Sequence, residues 1–183
     1  AWITPIVLLE PHNDRNRAAL GFDMYSDATR RSAMDHAIAS GDAQMSGPVE
    51  LVQEITSQKQ TGFLVYLPFR TLDRPPGTAG TPVAGFVYAP FRGGDLIRAA
   101  LSEGMDLPLS LRVVDTGAPS TPLFDAIDAS DASTRVLSKT VAILGRQWQI
   151  ESRANLDAAD GTRVLESLLL GLASFLFAAA AAY

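Results

Sequence analysis

The chain has 183 residues, a net charge of −5, 47% hydrophobic residues and 19% charged ones. That length allows one domain or two small lobes on a shared spine, and the acidic balance excludes the broad basic field that nucleic acid requires. Cysteine is absent, which excludes a Cys-ligated zinc site, an iron–sulfur cluster, a thiol nucleophile and disulfides.

Residues 3–9 (ITPIVLL) read as a strand, and residues 12–17 (HNDRNR) as a polar connection. Ser26–Asp27 is an N-cap pair. It predicts a helix to about Ser40, stopped by Gly41 as the C′ residue. Ala33, Met34, Ala37 and Ile38 share one face of that helix. Arg30, Arg31, Asp35 and His36 are expected largely on the other side, as a solvated face.

Residues 49–54 read as a strand, with Val49, Leu51 and Gln53 pointing one way and Glu50, Val52 and Glu54 the other. A polar loop, 56–61, leads to residues 62–69 (GFLVYLPF). Phe63, Val65 and Leu67 take one face there, and Leu64, Tyr66 and Pro68 the other. Both faces are apolar, so this strand is expected to be central, with layers on both sides. Residues 73–82 form a Pro/Gly-rich loop. Residues 83–89 form a third strand, in which Gly85 marks a bulge or a close approach. A helix is expected from Asp95 to Gly104.

The pattern then restarts. Leu109, Leu111 and Val113 alternate with Ser110, Arg112 and Val114, residues 115–117 are turn chemistry, and residues 126–135 read as a loop. Residues 140–152 read as a hairpin with Gly145–Arg146 in a type II′ turn and with Trp148 and Ile150 inside. Two groups of strands with few helices give an α+β fold class. From Ser167 the chain carries no charge (SLLLGLASFLFAAAAAY). It would make roughly 26 Å of helix, close to the roughly 20 residues that a membrane span needs. A transmembrane helix over residues 163–183, truncated at Tyr183, is expected, with a short buried helix as the alternative. The start at Ala1–Trp2–Ile3 reads as that of an internal or processed fragment.

Four blocks, GFDMYSDATRRSAM, SGPVELVQE, GFLVYLP and GFVYAPFRGGDL, occur in this order. Together they resemble the CHASE domain, the extracytoplasmic sensor domain of membrane histidine kinases, diguanylate cyclases and related receptors, which include the plant cytokinin receptors. The resemblance covers about residues 3–152. It implies two PAS-like lobes with antiparallel sheets, followed by the C-terminal transmembrane helix. Residues 1–20 would be an N-terminal strand and connection, 21–104 the membrane-distal, ligand-binding lobe and 105–160 the membrane-proximal lobe. A family dipeptide before the first distal strand falls at Gly47–Pro48, with Ser46 ahead of it. A backbone-contacting position falls at Val52 and a pocket position at Tyr66. The acid that fixes the adenine ring in the plant receptors would fall near Arg30, with Asp27 as a substitute. An arginine there, and the bulk of Tyr66, argue against a cytokinin ligand.

The residues add their own reading. Gln53, Tyr66 and Tyr88 each place a polar tip among apolar strand neighbours, the composition of a small-molecule pocket. Their bland alternative is a core residue with its tip satisfied. Leu51, Phe63, Val65 and Gly85 complete the expected lining, and Arg30 would meet an anionic ligand at the mouth. His12 and His36 read as solvated histidines and not as a metal pair. A triad of Ser46, His36 and an aspartate has no Gly-x-Ser-x-Gly elbow behind it.

The expected function is therefore a non-enzymatic sensor with no cofactor and no metal. Its expected partners are a small-molecule ligand, a membrane and a second copy of itself, with no nucleic acid. It would sit at the inner membrane with its sensor part periplasmic or extracellular, and its output module would be a kinase or a cyclase. The rivals are a structural dimerisation or spacer domain without a ligand and, last, an exported hydrolase.

Overall fold

The computed structural model describes residues 3–54, 59–70, 83–102, 110–127 and 135–154. The chain divides into two compact units, Ala1–Phe91 and Arg92–Tyr183. Each holds one antiparallel sheet, so the class is α+β. The expected transmembrane helix, residues 163–183, lies outside the described residues. Among those residues no helix is long and apolar enough to cross a membrane.

The first unit opens with an extended segment in place of the expected strand over residues 3–9. Only Pro5 forms a bridge, to Asp23. Proline has no N–H to continue a ladder, so the segment is held by single bonds on either side. Ile6 donates its amide to the Phe22 carbonyl at 3.0 Å, and Met24 donates to Thr4 at 3.1 Å. A short helix, α1 (Asp14–Ala19), follows where a loop was expected; its cap is Asn13, whose side chain accepts from the Asn16 amide. The sequence DRNRAA carries no apolar stripe, and only Ala19 is buried.

After a single 3-10 turn, Met24–Ser26, helix α2 (Ala28–Ser40) runs between the expected signals. Asp27 accepts from the Arg30 amide, and Gly41 closes the end at φ 78°. Its buried residues are Arg30, Ala33, Met34 and Ala37, one face at helical spacing. Arg30 thus lies on the inner face, not with the solvated residues.

Strands β1 (Gln44–Met45) and β2 (Val49–Glu50) both pair with the long strand β3 (Thr61–Arg70), and β4 (Val83–Arg92) pairs with β3 as well. Gln44 faces Tyr66 and Met45 faces Val65. The same register would carry Val49 to Thr61, yet Val49 faces Gly62. One extra residue therefore sits between β1 and β2, which makes the pair one bulged strand. Pro48 supplies no amide there, and Ser46 fills the gap. Its amide donates to the Leu64 carbonyl at 2.8 Å, and its hydroxyl accepts from the Leu64 amide at 3.0 Å. The expected strand over 49–54 ends at Glu50, because the Glu54 amide turns back to the Leu51 carbonyl at 3.0 Å.

The two faces of β3 have different fates. Leu64 and Tyr66 enter a core with Ile6, Leu9, Met24, Met34, Ala37 and Leu51. On the opposite face the Phe63 ring stacks on Phe91, with 5.2 Å between centroids. That face is open farther along, where Leu67, Phe69 and Val87 are exposed. Gly62 allows one close approach, since a Cβ there would lie 2.6 Å from the Leu51 side chain and 2.7 Å from the Phe91 carbonyl.

The second unit contains α3 (Gly93–Ser102), which the sequence assigned to the first lobe. Strands β5 (Ser110–Asp115), β6 (Phe124–Asp125), β7 (Arg135–Ile143) and β8 (Arg146–Ala154) lie in the order β6-β5-β8-β7. Leu111, Val113, Trp148 and Ile150 are buried, so the inner face of the hairpin is the expected one. Its turn is not. Leu144 and Gly145 both have positive φ, 43° and 80°, and Ile143 faces Arg146. This is the two-residue I′ pattern, whose backbone matches strand twist, placed one residue before the expected pair.

Asp115 is buried beside that turn and ties it to the end of β5. Its oxygens accept from Arg146 Nε at 2.7 Å, from Arg146 Nη2 at 2.5 Å and from the Gly117 amide at 2.8 Å. Removing Asp115 deletes two charge-assisted bonds, while the partly exposed Arg146 can turn to water. Asp115→Ala is expected to cost about 2 kcal/mol, read as a lower urea midpoint with an unchanged slope.

Candidate functional site

The expected site residues do not all converge. Arg30, Leu51, Val52, Tyr66 and Tyr88 lie on the helix side of the first sheet, where Val52 and Tyr88 are partly buried rims of the core. Phe63 stacks on the other side of the sheet. Val65 alternates with Tyr66 and shares that other side. Gly85 lies there too, covered by the Phe69 ring, which a Cβ would meet at 2.7 Å. Ser46 is spent in the bulge, where its hydroxyl also donates to the Gly47 carbonyl at 2.8 Å. Gln53 sits in the turn after β2 and not on a strand. Its backbone carbonyl accepts from Arg15 at 3.2 Å, while its buried side-chain amide nitrogen has no partner among the described residues.

The convergent group is built around Tyr66. This residue is fully buried, and among the described residues its hydroxyl reaches only the Met24 sulfur, at 3.8 Å, a weak acceptor. The Phe86 ring stands edge-on to it at 6.1 Å, and the Tyr88 ring lies tilted at 6.0 Å. Helix α2 packs over β3 and β1. Phe86 and Tyr88 on β4 are only partly buried. The result is a half-covered aromatic shelf beside a sealed floor.

Polar groups at this shelf are under-used. The Tyr88 hydroxyl is buried and has no hydrogen-bond partner among the described residues, and neither has Arg30 Nε. A buried polar atom left in this state costs roughly 1–3 kcal/mol. Arg30 itself is 5% exposed. Its Nη2 donates to the Glu50 carbonyl at 2.7 Å, its Nη1 stands 3.4 Å from Asp27, and its guanidinium lies 5.3 Å from the centre of the Phe22 ring. Burial pushes the Tyr88 phenol up to about 12. Burial also raises the Tyr66 phenol, and the nearby Arg30 cation works in the opposite direction. Tyr66 thus feels both the Arg30 cation and the Tyr88 ring in an apolar setting, the composition of a small-molecule binding surface.

Sequence reading missed Phe22 and Met24, which close the cluster from the segment before α2. The spacing from Met24 to the buried face of the helix carries no periodic signal across the 3-10 turn. Arg30 was visible in principle: it stands three and four residues before Ala33 and Met34, on the same helical face. Its charge concealed that placement.

A second concavity lies in the second unit. It holds about 150 Å³ and is lined by Arg112, Val114, Pro119, Gln149 and Glu151. Glu151 is paired with Arg153 at 3.1 Å, whereas Arg112 Nε stands 3.4 Å from Asp125 and, like Arg30 Nε, has no hydrogen-bond partner among the described residues.

Comparison with known families gives one match: the CHASE domain model fits residues 1–124, which take in the whole first unit, α3 and β5. No curated protein matches the chain.

Because the Tyr88 hydroxyl is buried without a partner, Tyr88→Phe should leave stability unchanged or raise it by up to about 1 kcal/mol. The phenol binds its proton more tightly in the folded chain. Its contribution is therefore complete below its ordinary value of 10.0 and is lost as pH rises to about 12. Chemical denaturation across that window should show a smaller alkaline loss in Tyr88→Phe than in the parent chain.

Proposed function

The chain belongs to the CHASE domain family, whose members are extracellular or periplasmic sensor domains of receptors, and from that membership we propose that it binds a small molecule on the shelf formed by Tyr66, Phe86, Tyr88 and Arg30. The observation that carries this reading is the pair of buried, unpartnered polar atoms, Arg30 Nε and the Tyr88 hydroxyl, beside a partly covered aromatic surface. A ligand that supplied their hydrogen bonds would recover free energy that the empty fold forgoes.

In this reading the chain is a receptor's sensor and not an enzyme. The first unit acts as the PAS-like distal lobe and the second as the proximal one. The stretch 163–183, free of charge from Ser167, is the membrane helix, and the sensor part faces the periplasm or the exterior from the inner membrane. A ligand shifts the receptor only by binding one conformer better than another. A helix that carries a signal across the membrane needs a partner helix to move against, so the working unit is a homodimer. The receptor's output module is a kinase or a cyclase.

A second reading has its own support. The floor at Leu64 and Tyr66 is fully packed, as a ligand-free spacer or dimerisation domain would have it.

Thermal denaturation of the full chain in detergent, screened against a broad metabolite set, separates the two. A true ligand at about 100 times its Kd adds about 2.7 kcal/mol. In the Tyr66→Phe/Tyr88→Phe double variant, which keeps both rings, that shift should shrink. An undiminished shift places the ligand elsewhere, and a screen with no stabilising compound favours the spacer.

A further inference from the structure

Two arginines in this chain are held against aspartates in different ways, and the contrast is informative. Arg146 meets Asp115 through two short bonds, 2.7 and 2.5 Å, on both carboxylate oxygens. That is the bidentate geometry of a satisfied structural ion pair. Arg30 is buried where Arg146 is only partly so, yet among the described residues its nearest carboxylate oxygen, on Asp27, stands at 3.4 Å, beyond the roughly 2.7–2.9 Å of a charge-assisted bond. The other Asp27 oxygen is committed to the helix cap, accepting from the Arg30 amide at 2.9 Å. Asp27 cannot turn to grip the guanidinium without releasing the first turn of α2.

A guanidinium carries five N–H donors and is always charged. Here it has a neutral carbonyl at 2.7 Å, a ring face, one long contact to a carboxylate and a free Nε–H. A neutral acceptor would complete the count of hydrogen bonds. Only an anion would also compensate the buried charge, which is the larger deficit. The remainder of the site selects the rest of the ligand. Phe86, Tyr88, Phe22 and Tyr25 are partly buried around the floor, so the body that lies on them is flat and apolar.

We propose that the occupant is a small organic acid with a flat apolar body, its carboxylate received by Arg30 and its acceptor edge by the Tyr88 hydroxyl. This inference rests on the sensor reading above and adds the charge of the ligand to it. It also gives Asp27 a second role. As the anion nearest to Arg30 it opposes the ligand's carboxylate, and its cap can be kept by asparagine while that opposition is removed.

The test measures Kd by calorimetry on the full chain, with matched probes: benzoate and benzamide, phenylacetate and phenylacetamide, indole-3-acetate and indole-3-acetamide. In at least one pair the acid should bind about tenfold tighter than its amide, or more. Arg30→Gln should abolish that preference. Asp27→Asn, which keeps the helix cap, should tighten the acid and leave the amide unchanged. An amide that binds as tightly as its acid, an acid preference that survives Arg30→Gln, or an acid affinity indifferent to Asp27→Asn each overturns the inference. If no acid probe binds while a neutral or cationic compound from the metabolite screen stabilises the chain, the inference fails and the sensor reading stands. If no compound of any charge does so, both fail.

Discussion

One oxygen of Asp27 closes the first turn of α2 on the Arg30 amide, and every residue that the helix sends into the core is counted from that bond. With the first turn fixed there, Arg30, Ala33, Met34 and Ala37 face the sheet. Shifting the start by one residue would rotate that face by about 100° and bring a different set inward. The same bond occupies half of the Asp27 carboxylate, which among the described residues is the one paired with the Arg30 guanidinium. Helix initiation and charge compensation therefore compete for one side chain, and helix initiation has the shorter contact. The first unit is built around that unequal division.

The sheet answers with constraints of its own. The extra residue between β1 and β2 is accommodated because Ser46 bonds Leu64 through both its amide and its hydroxyl. The register on the Tyr66 side is thereby pinned independently of the register at Gly62. A slip of one residue would send Leu64 and Tyr66 to the face that Phe63 and Val65 now hold. The close approach at Gly62, where Leu51 and the Phe91 carbonyl leave no room for a Cβ, reinforces the same alignment from the other end of β3.

What could be read from residues alone followed how local each signal is. The cap at Asp27, the stop at Gly41 and the apolar alternation of β3 each lie within a few residues, and all three are present in the structure. The end of β2 was not legible, because Val49, Leu51 and Gln53 keep a period of two straight through a turn. Helix α1 was hidden because a polar six-residue helix has almost no apolar face to display. The hairpin turn was misplaced by one residue because a leucine at φ 43° contradicts the usual preference for glycine or asparagine there. At the candidate site, Tyr66 and Tyr88 lie on the same side of the sheet, a placement that strand alternation sets. Arg30 was assigned to the wrong side because charge was weighed above helical position. Phe22 and Met24 were missed because their approach to Tyr66 depends on how the chain enters the helix.

The hairpin of the second unit has a mechanical consequence. Its two strands pair along nine residues each, a ribbon of about 30 Å. Its turn admits no slack, and Asp115 clamps Arg146 at the turn end. Sliding one strand along the other would turn Trp148 and Ile150 out of the inner face, so the ribbon resists shortening and shear. Along its length from Leu144–Gly145 to Ala154 the pairing therefore holds the two strands in one fixed alignment.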